Sequence, residues 1–357
     1  MSHACARRRD ALLERAGEVD AVLVTRLPNV RYLTGFTGSN AALLVTPERA
    51  VLATDGRYRL QAAQQAPDVE LLVDREVACA LADRAARDGV RRLAFEAHDV
   101  TVELHGQLLS AAPGLDLLPL GRAVEELRQV KDGEELAALA RACGITAEAF
   151  RGLLDLVHPG RTERDLARFL EARMFDLGAE GPAFPTIVAT GPHSAIPHHA
   201  PTDRPLAVGD LLIVDFGARY AGYHADMTRT VAVGHCADWQ RDLHGLVAAA
   251  QLAALRALAP GADVTDVDRA ARAVVEAAGR GEEFPHGVGH GVGLEIHEAP
   301  RISPTGAGRL AARVPVTVEP GVYLAGRGGV RIEDTVVVRD GEPELLTTAP
   351  KELLVLA

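Results

Sequence analysis

Cysteine is scarce in this sequence, and the chain's four, Cys5, Cys79, Cys143 and Cys236, stand far apart with no CxxC pair. That spacing excludes a zinc knuckle and a dithiol redox site, and it fits a reducing compartment. Lysine is scarcer still. Lys131 and Lys351 stand alone among 38 basic residues, a skew towards arginine that reads as base composition rather than function. No stretch reaches the eighteen or so apolar residues that a membrane span needs. Arg7, Arg8 and Arg9 could open a secretion signal, but Asp10 and Glu14 follow where an apolar core is required. The expectation is a cytoplasmic protein. Positive charge is deficient overall: the net charge of −11 argues against nucleic acid as a partner.

What is present is an ordinary globular balance, 48% hydrophobic and 24% charged, over 357 residues, enough for two domains. Residues 21–25, 41–46, 51–54 and 89–95 read as strands and 57–65 as a helix, which predicts an α/β domain with a partly parallel sheet. Residues 32–40 read as a glycine-punctuated turn. The polar stretch 121–131 places the boundary at 124/125, followed by a long helix over about 132–157. A faint repeat follows. Pro159-Gly160 with Thr162 and Asp165, and Pro260-Gly261 with Thr265 and Asp268, each open a helix with a Thr-to-Asp capping pattern, and each helix precedes a His- and Gly-rich stretch. Two such units predict a pseudo-symmetric domain with a site between its halves.

Four acids occupy strand contexts. Asp215 ends residues 211–215, Asp226 follows a hairpin connection, Glu319 ends 314–318, and Glu333 lies within the apolar run 329–338. Buried carboxylates are costly unless paired or metal-bound. Arg229 and Arg331 could balance two of the four; two divalent ions would neutralise all of them. His286 and His290 have zincin spacing, but Gly287 stands where that motif needs glutamate, and Val292 breaks a GxGxxG pattern. A glycine-rich turn carrying one inward histidine ligand fits better, with His286 as a hydrogen-bonded core residue.

Taken in order, Asp-Phe-Gly…Asp-Met-Thr-Arg-Thr, Gly-His-Gly-Val-Gly-Leu-Glu-Ile-His-Glu, Glu-Pro-Gly-Val-Tyr and Arg-Ile-Glu-Asp-Thr resemble the pita-bread metallopeptidases: Xaa-Pro dipeptidase (prolidase), aminopeptidase P and methionine aminopeptidase. Residues 32–40 and Thr54-Asp-Gly-Arg-Tyr58 resemble the creatinase-type N-terminal domain of the proline-specific members. The resemblance implies an α+β protein, with a creatinase-like α/β domain over 1–124 and a pita-bread catalytic domain over 125–357. It implies a metal pair held by Asp215, Asp226, His290, Glu319 and Glu333, with Asp226 and Glu333 bridging and a hydroxide between the ions. Oxygen-rich ligation suits Mn²⁺ first, with Co²⁺, Zn²⁺ or Fe²⁺ as alternatives.

In the family's terms Glu319 is the proton shuttle, and His198 and His297 are the histidines beside the substrate; the doublet His198-His199 leaves the register to be fixed, with His198 favoured. Arg331 is expected near the proline pocket or as a partner of Glu333. Arg301, four residues after His297, matches the arginine that anchors a dipeptide's C-terminal carboxylate. The implied activity is hydrolysis of Xaa-Pro dipeptides by a homodimer. The alternatives are an aminopeptidase P acting on longer peptides and a non-catalytic peptide-binding protein on the same fold.

Overall fold

A computed structural model describes residues 2–356. The chain divides into two compact units, Met1–Arg128 and Gln129–Ala357. The division falls near the end of a helix, Ala123–Gln129, which also contains the 124/125 position.

In the first unit a six-stranded sheet runs Glu70–Val73, Ala50–Thr54, Ala41–Val45, Ala21–Val24, Arg92–Phe95, Asp116–Pro119 in spatial order. The central pairings are antiparallel and the outer ones parallel, as expected for a partly parallel sheet. The inner strands are buried on both faces, which is why they read as near-continuous apolar runs. Residues 32–34 depart from the expected turn. They finish the helix Leu27–Thr34, and the turn begins at Gly35, whose φ of +82° ends the helix in the left-handed region.

The second unit contains two similar halves. In one, the helices Gly133–Leu154 and Glu163–Asp176 pack on a four-stranded sheet that includes Ile187–Thr190, Leu211–Phe216 and Met227–Val233, around Phe150, Leu170, Val214 and Met227. In the other, Asp238–Ala257 and Val264–Ala277 pack on a five-stranded sheet that includes Gly289–Gly291, Pro315–Val318 and Asp334–Val337, around Val247, Val267, Val316 and Val336. Full burial of each such side chain contributes about 1.5–3 kcal/mol. The two helix starts differ. Thr162 and Asp165 form the expected capping box, but the second helix is capped by Asp263. Asp268 instead pairs with Arg272 and accepts from the Val288 amide, so it ties this helix to the glycine-rich segment.

No helix is long and apolar enough to cross a membrane among the described residues.

Candidate metal centre and substrate cavity

The strand Leu211–Phe216 runs antiparallel to Met227–Val233, with Asp215 opposite Thr228. Asp226 stands one residue before the second strand, so the hairpin brings both carboxylates to one end of the sheet. Gly217 permits this closure: a Cβ there would lie 1.7 Å from the Ala225 carbonyl oxygen, the residue preceding Asp226. A backbone atom cannot yield as a flexible side chain can. Gly217→Ala is therefore expected to destabilise the fold by about 3 kcal/mol and to weaken divalent-ion uptake. Denaturant midpoints with and without Mn²⁺ measure both effects.

The other half supplies the remaining groups. His290 lies on the short strand Gly289–Gly291 rather than in a turn. That strand is squeezed between Glu298–Ile302 and Pro315–Val318. A Cβ at Gly289 would approach the Thr317 carbonyl oxygen to 2.0 Å, and one at Gly291 the Ala299 carbonyl oxygen to 2.2 Å. The glycines are there for close backbone approach on both sides of the histidine. Glu319 follows Val318 directly. Glu333 is not inside one continuous strand, as its apolar surroundings suggested. The chain leaves a two-stranded sheet after Arg331 and enters the five-stranded sheet at Asp334, so Glu333 sits in the break. Ligand atoms of Asp226, His290 and Glu333 all lie within 4.8 Å of one another.

The electrostatics of this cluster are unbalanced. Arg331 is the partner of Asp215, with Nη2 donating to Oδ2 at 2.7 Å, and is not bonded to Glu333. Its other donors go to the Tyr323 hydroxyl, the Thr228 hydroxyl and the Pro197 carbonyl. Arg229 pairs with Asp334 and so balances none of the four acids. One guanidinium thus faces four carboxylates. Burial, together with the neighbouring acids Glu333, Asp215 and Glu319, drives the Asp226 carboxyl well above its ordinary range, and Glu333 rises for the same reasons. Burial pushes Glu319 up to about 8, opposed in part by Arg331.

The nature of the missing charge is legible in two atoms. Asp215 Oδ1 is buried without a hydrogen-bond partner. His290 Nδ1 lies 3.0 Å from the Gly291 carbonyl, which can only accept, so Nδ1 carries the proton. Nε2 then presents a lone pair to Asp226 Oδ2 at 3.6 Å and Glu319 Oε1 at 3.4 Å. Burial holds His290 neutral, its pKa down at about 4. An imidazole lone pair facing carboxylates is an acceptor facing acceptors; a proton on one carboxyl would satisfy a single contact, whereas a divalent cation satisfies all of these acceptors at once.

These groups form one wall of a cavity of about 820 Å³, also lined by Phe184, Ile187, His198, Ile296, His297 and Arg301. That volume suits a short peptide. Both rings of the doublet border the cavity, but the His199 ring is buried and bonded to Glu163 at 2.8 Å, whereas His198 is exposed and free of that tie. His297 stacks edge-on to His290, ring centroids 4.4 Å apart. Arg301 stands directly opposite His290 across the strand pair, exposed and at the cavity, with no hydrogen bond or ion pair of its side chain among the described residues. Behind the same strand, Lys131 is sealed against Glu298 at 2.8 Å.

Sequence reading missed the hydroxyls that hold the carboxylates. Thr228 donates to Glu333 Oε2 at 2.7 Å, and the Thr317 hydroxyl lies 3.2 Å from Glu319 Oε1. Each threonine stands two residues from an acid, Asp226 or Glu319, which is the same-face spacing of a strand. Tyr323 was also missed; its hydroxyl joins Arg331 to His286, which is hydrogen-bonded at both ring nitrogens as expected but borders the cavity, half-buried, rather than lying in the core.

Residues 137–340 match metallopeptidase family M24, and residues 7–130 match the creatinase/prolidase N-terminal domain. The chain belongs to metallopeptidase family M24. It is similar along its length to several M24-type proteins. An uncharacterized peptidase, YqhT, of Bacillus subtilis is 37% identical over 95% of this chain and 96% of its own. Among solved structures, an Xaa-Pro dipeptidase from Bacillus anthracis superposes with a TM-score of 0.95 at 35% identity, covering 99% of this chain and 100% of that one. An X-Pro aminopeptidase from Thermotoga maritima superposes with a TM-score of 0.90 at 36% identity, covering 98% and 99%. The two-halved second unit is accordingly the pita-bread fold of M24 peptidases, which use divalent metal ions.

Proposed function

We propose that this M24 peptidase hydrolyses Xaa-Pro dipeptides at two divalent ions, with Mn²⁺ the first choice. Asp215 would hold one ion, Asp226 and Glu333 both, and His290 and Glu319 the other. The observation that carries the metal reading is the His290 Nε2 lone pair aimed at carboxylates that only one guanidinium balances. Ions bound there would polarise the scissile carbonyl and lower the pKa of a water molecule.

The chain's own side chains would do the rest. Glu319, ionised in the loaded site, would take up a proton and pass it to the leaving prolyl nitrogen. That nitrogen has no N–H in the substrate, so recognition must come from shape and from groups that contact other atoms. Phe184, Ile187, Pro197 and Ile296 supply apolar wall, and His198 and His297 supply ring nitrogens for the substrate's carbonyl and carboxylate oxygens. Arg301 brings an uncommitted guanidinium to the same cavity, suited to a C-terminal carboxylate.

The X-Pro aminopeptidase likeness supports a second reading, in which longer peptides are the substrates. Paired assays on Leu-Pro and a tripeptide such as Leu-Pro-Ala, with Mn²⁺ supplied, separate the two. Faster turnover of the tripeptide would move the assignment to aminopeptidase P. In the dipeptidase reading, Arg301→Ala raises KM for Leu-Pro about 10- to 100-fold, the worth of a charge-assisted hydrogen bond of 1.5–3 kcal/mol, and leaves kcat within a few-fold. An unchanged KM would remove Arg301 from substrate binding.

A further inference from the structure

Glu163 is fully buried at the first position of the helix Glu163–Asp176, and none of the metal-centre groups touches it. Its carboxylate accepts five hydrogen bonds. Oε1 takes the Thr190 amide at 2.9 Å and His193 Nδ1 at 2.9 Å. Oε2 takes His199 Nε2 at 2.8 Å, the Thr202 amide at 2.9 Å and the Thr202 hydroxyl at 2.7 Å. Thr190 and His193 belong to the outgoing limb of a loop, His199 and Thr202 to its returning limb. The two rings, one from each limb, pack with centroids 4.2 Å apart and their planes tilted by 35°. The backbone repeats the tie: the Glu163 amide donates to the Arg204 carbonyl and the Arg164 amide to the Thr202 carbonyl. Between the limbs stand Pro197 and His198, which line the cavity.

We infer that Glu163 is a positioning residue whose carboxylate clamps both limbs of the 190–202 loop and so sets where His198 stands in the substrate cavity. The residue acts through the loop and touches no substrate itself. The three groups could in principle hold a metal ion, but the carboxylate oxygens are already saturated by five donors, two of them backbone amides that cannot leave. The clamp therefore works as an acceptor only. Burial raises the carboxyl's pKa, but the bonds from Thr202, His199 and Thr190 outweigh it and bring the group down to about 2, so Glu163 is ionised around neutral pH. Glutamine at this position would turn an NH₂ group towards donors. The far side of the loop is fastened separately, through the Gly329 amide to the Ser194 hydroxyl and Arg331 to the Pro197 carbonyl, so the loop loosens without detaching.

That His198 meets the substrate rests on the proposed function; that Glu163 orders the loop does not. The test therefore has two readouts on the full-length protein. By hydrogen exchange, Glu163→Gln accelerates exchange across residues 190–202 by about tenfold or more and leaves Leu211–Phe216 unchanged. With Leu-Pro and Mn²⁺, kcat/KM falls about 10- to 100-fold, the cost of a misplaced substrate contact. The double variant Glu163→Gln/His198→Ala is no slower than His198→Ala, since the clamp has nothing left to place. Thr202→Val, which removes one of the five donors, gives the same changes at smaller size, and it decides the matter if Glu163→Gln does not fold. Unchanged exchange over 190–202 in both variants overturns the clamp, as do losses that multiply in the double variant. If the wild type cleaves no Xaa-Pro peptide, the proposed function fails and the exchange data alone decide the role of Glu163.

Discussion

Removing divalent ions with a chelator abolishes cleavage of Leu-Pro, and Mn²⁺ or Co²⁺ restores it. Several kcal/mol of transition-state stabilisation are expected to go with the ions, a loss of roughly a thousandfold or more in rate. The same treatment reverses the pH dependence of stability. Without ions, Asp226, Glu319 and Glu333 have folded pKa values raised above their unfolded ones. The folded state then binds more protons than the unfolded state, so stability falls as pH rises. For Glu319 the window runs from its ordinary value of 4.5 to about 8. Chelated protein is expected to lose melting temperature steadily across that window, about 2–4 °C for each kcal/mol in a unit of this size. With ions bound, the carboxylates are held ionised, and over the same range stability holds or rises as protons stop competing for the ligands. Scanning calorimetry at pH 5, 6.5 and 8, with and without Mn²⁺, measures this. A chelated protein whose melting temperature rises between pH 5 and 8 would contradict the charge imbalance on which the metal reading stands.

The second large effect belongs to Glu319→Gln. The substitution keeps the shape and removes both a negative charge and a proton carrier. Turnover is expected to fall by about 10²–10⁴-fold. Stability moves the other way in the absence of metal. A buried carboxylate that burial pushes up to about 8 is a liability above that pH, and a neutral amide relieves it. Glu319→Gln should therefore melt higher than wild type when both are chelated at pH 8.5, and it should gain less from Mn²⁺. A simple folding defect would lower both melting temperatures. A peptide-binding protein without turnover would keep its affinity for Leu-Pro in this variant, which isothermal calorimetry would reveal.

The site was legible where chemistry had forced an unusual residue into an apolar context. Asp215 at the end of Leu-Leu-Ile-Val and Glu333 after Arg-Ile stand out because a charge there needs a reason. Segments alternating between sheet and helix were legible for the same cause, since period and burial are written in side-chain type. What could not be read was which partner each charge would take. Arg331 lies two residues from Glu333 yet bonds Asp215, because the chain turns out of one sheet between Arg331 and Asp334 and their side chains diverge. Likewise, nothing in His198-His199 says which ring is tied down; His199 is, by Glu163, 36 residues earlier in the chain. The strand at Gly289–Gly291 was hidden because its glycines, needed for close packing between two neighbours, carry no strand signal.

The two halves of the second unit have separate cores, and the acids divide between them: Asp215 and Asp226 come from the half built around Phe150 and Val214, His290, Glu319 and Glu333 from the half built around Val247 and Val316. An ion held by both sets would be a further crosslink between two hydrophobic bodies already joined by Arg331–Asp215, Arg229–Asp334 and Thr228–Glu333, and it would cancel the repulsion among the acids at their seam. Protein loaded with Mn²⁺ is expected to resist proteolysis at that seam longer than chelated protein does.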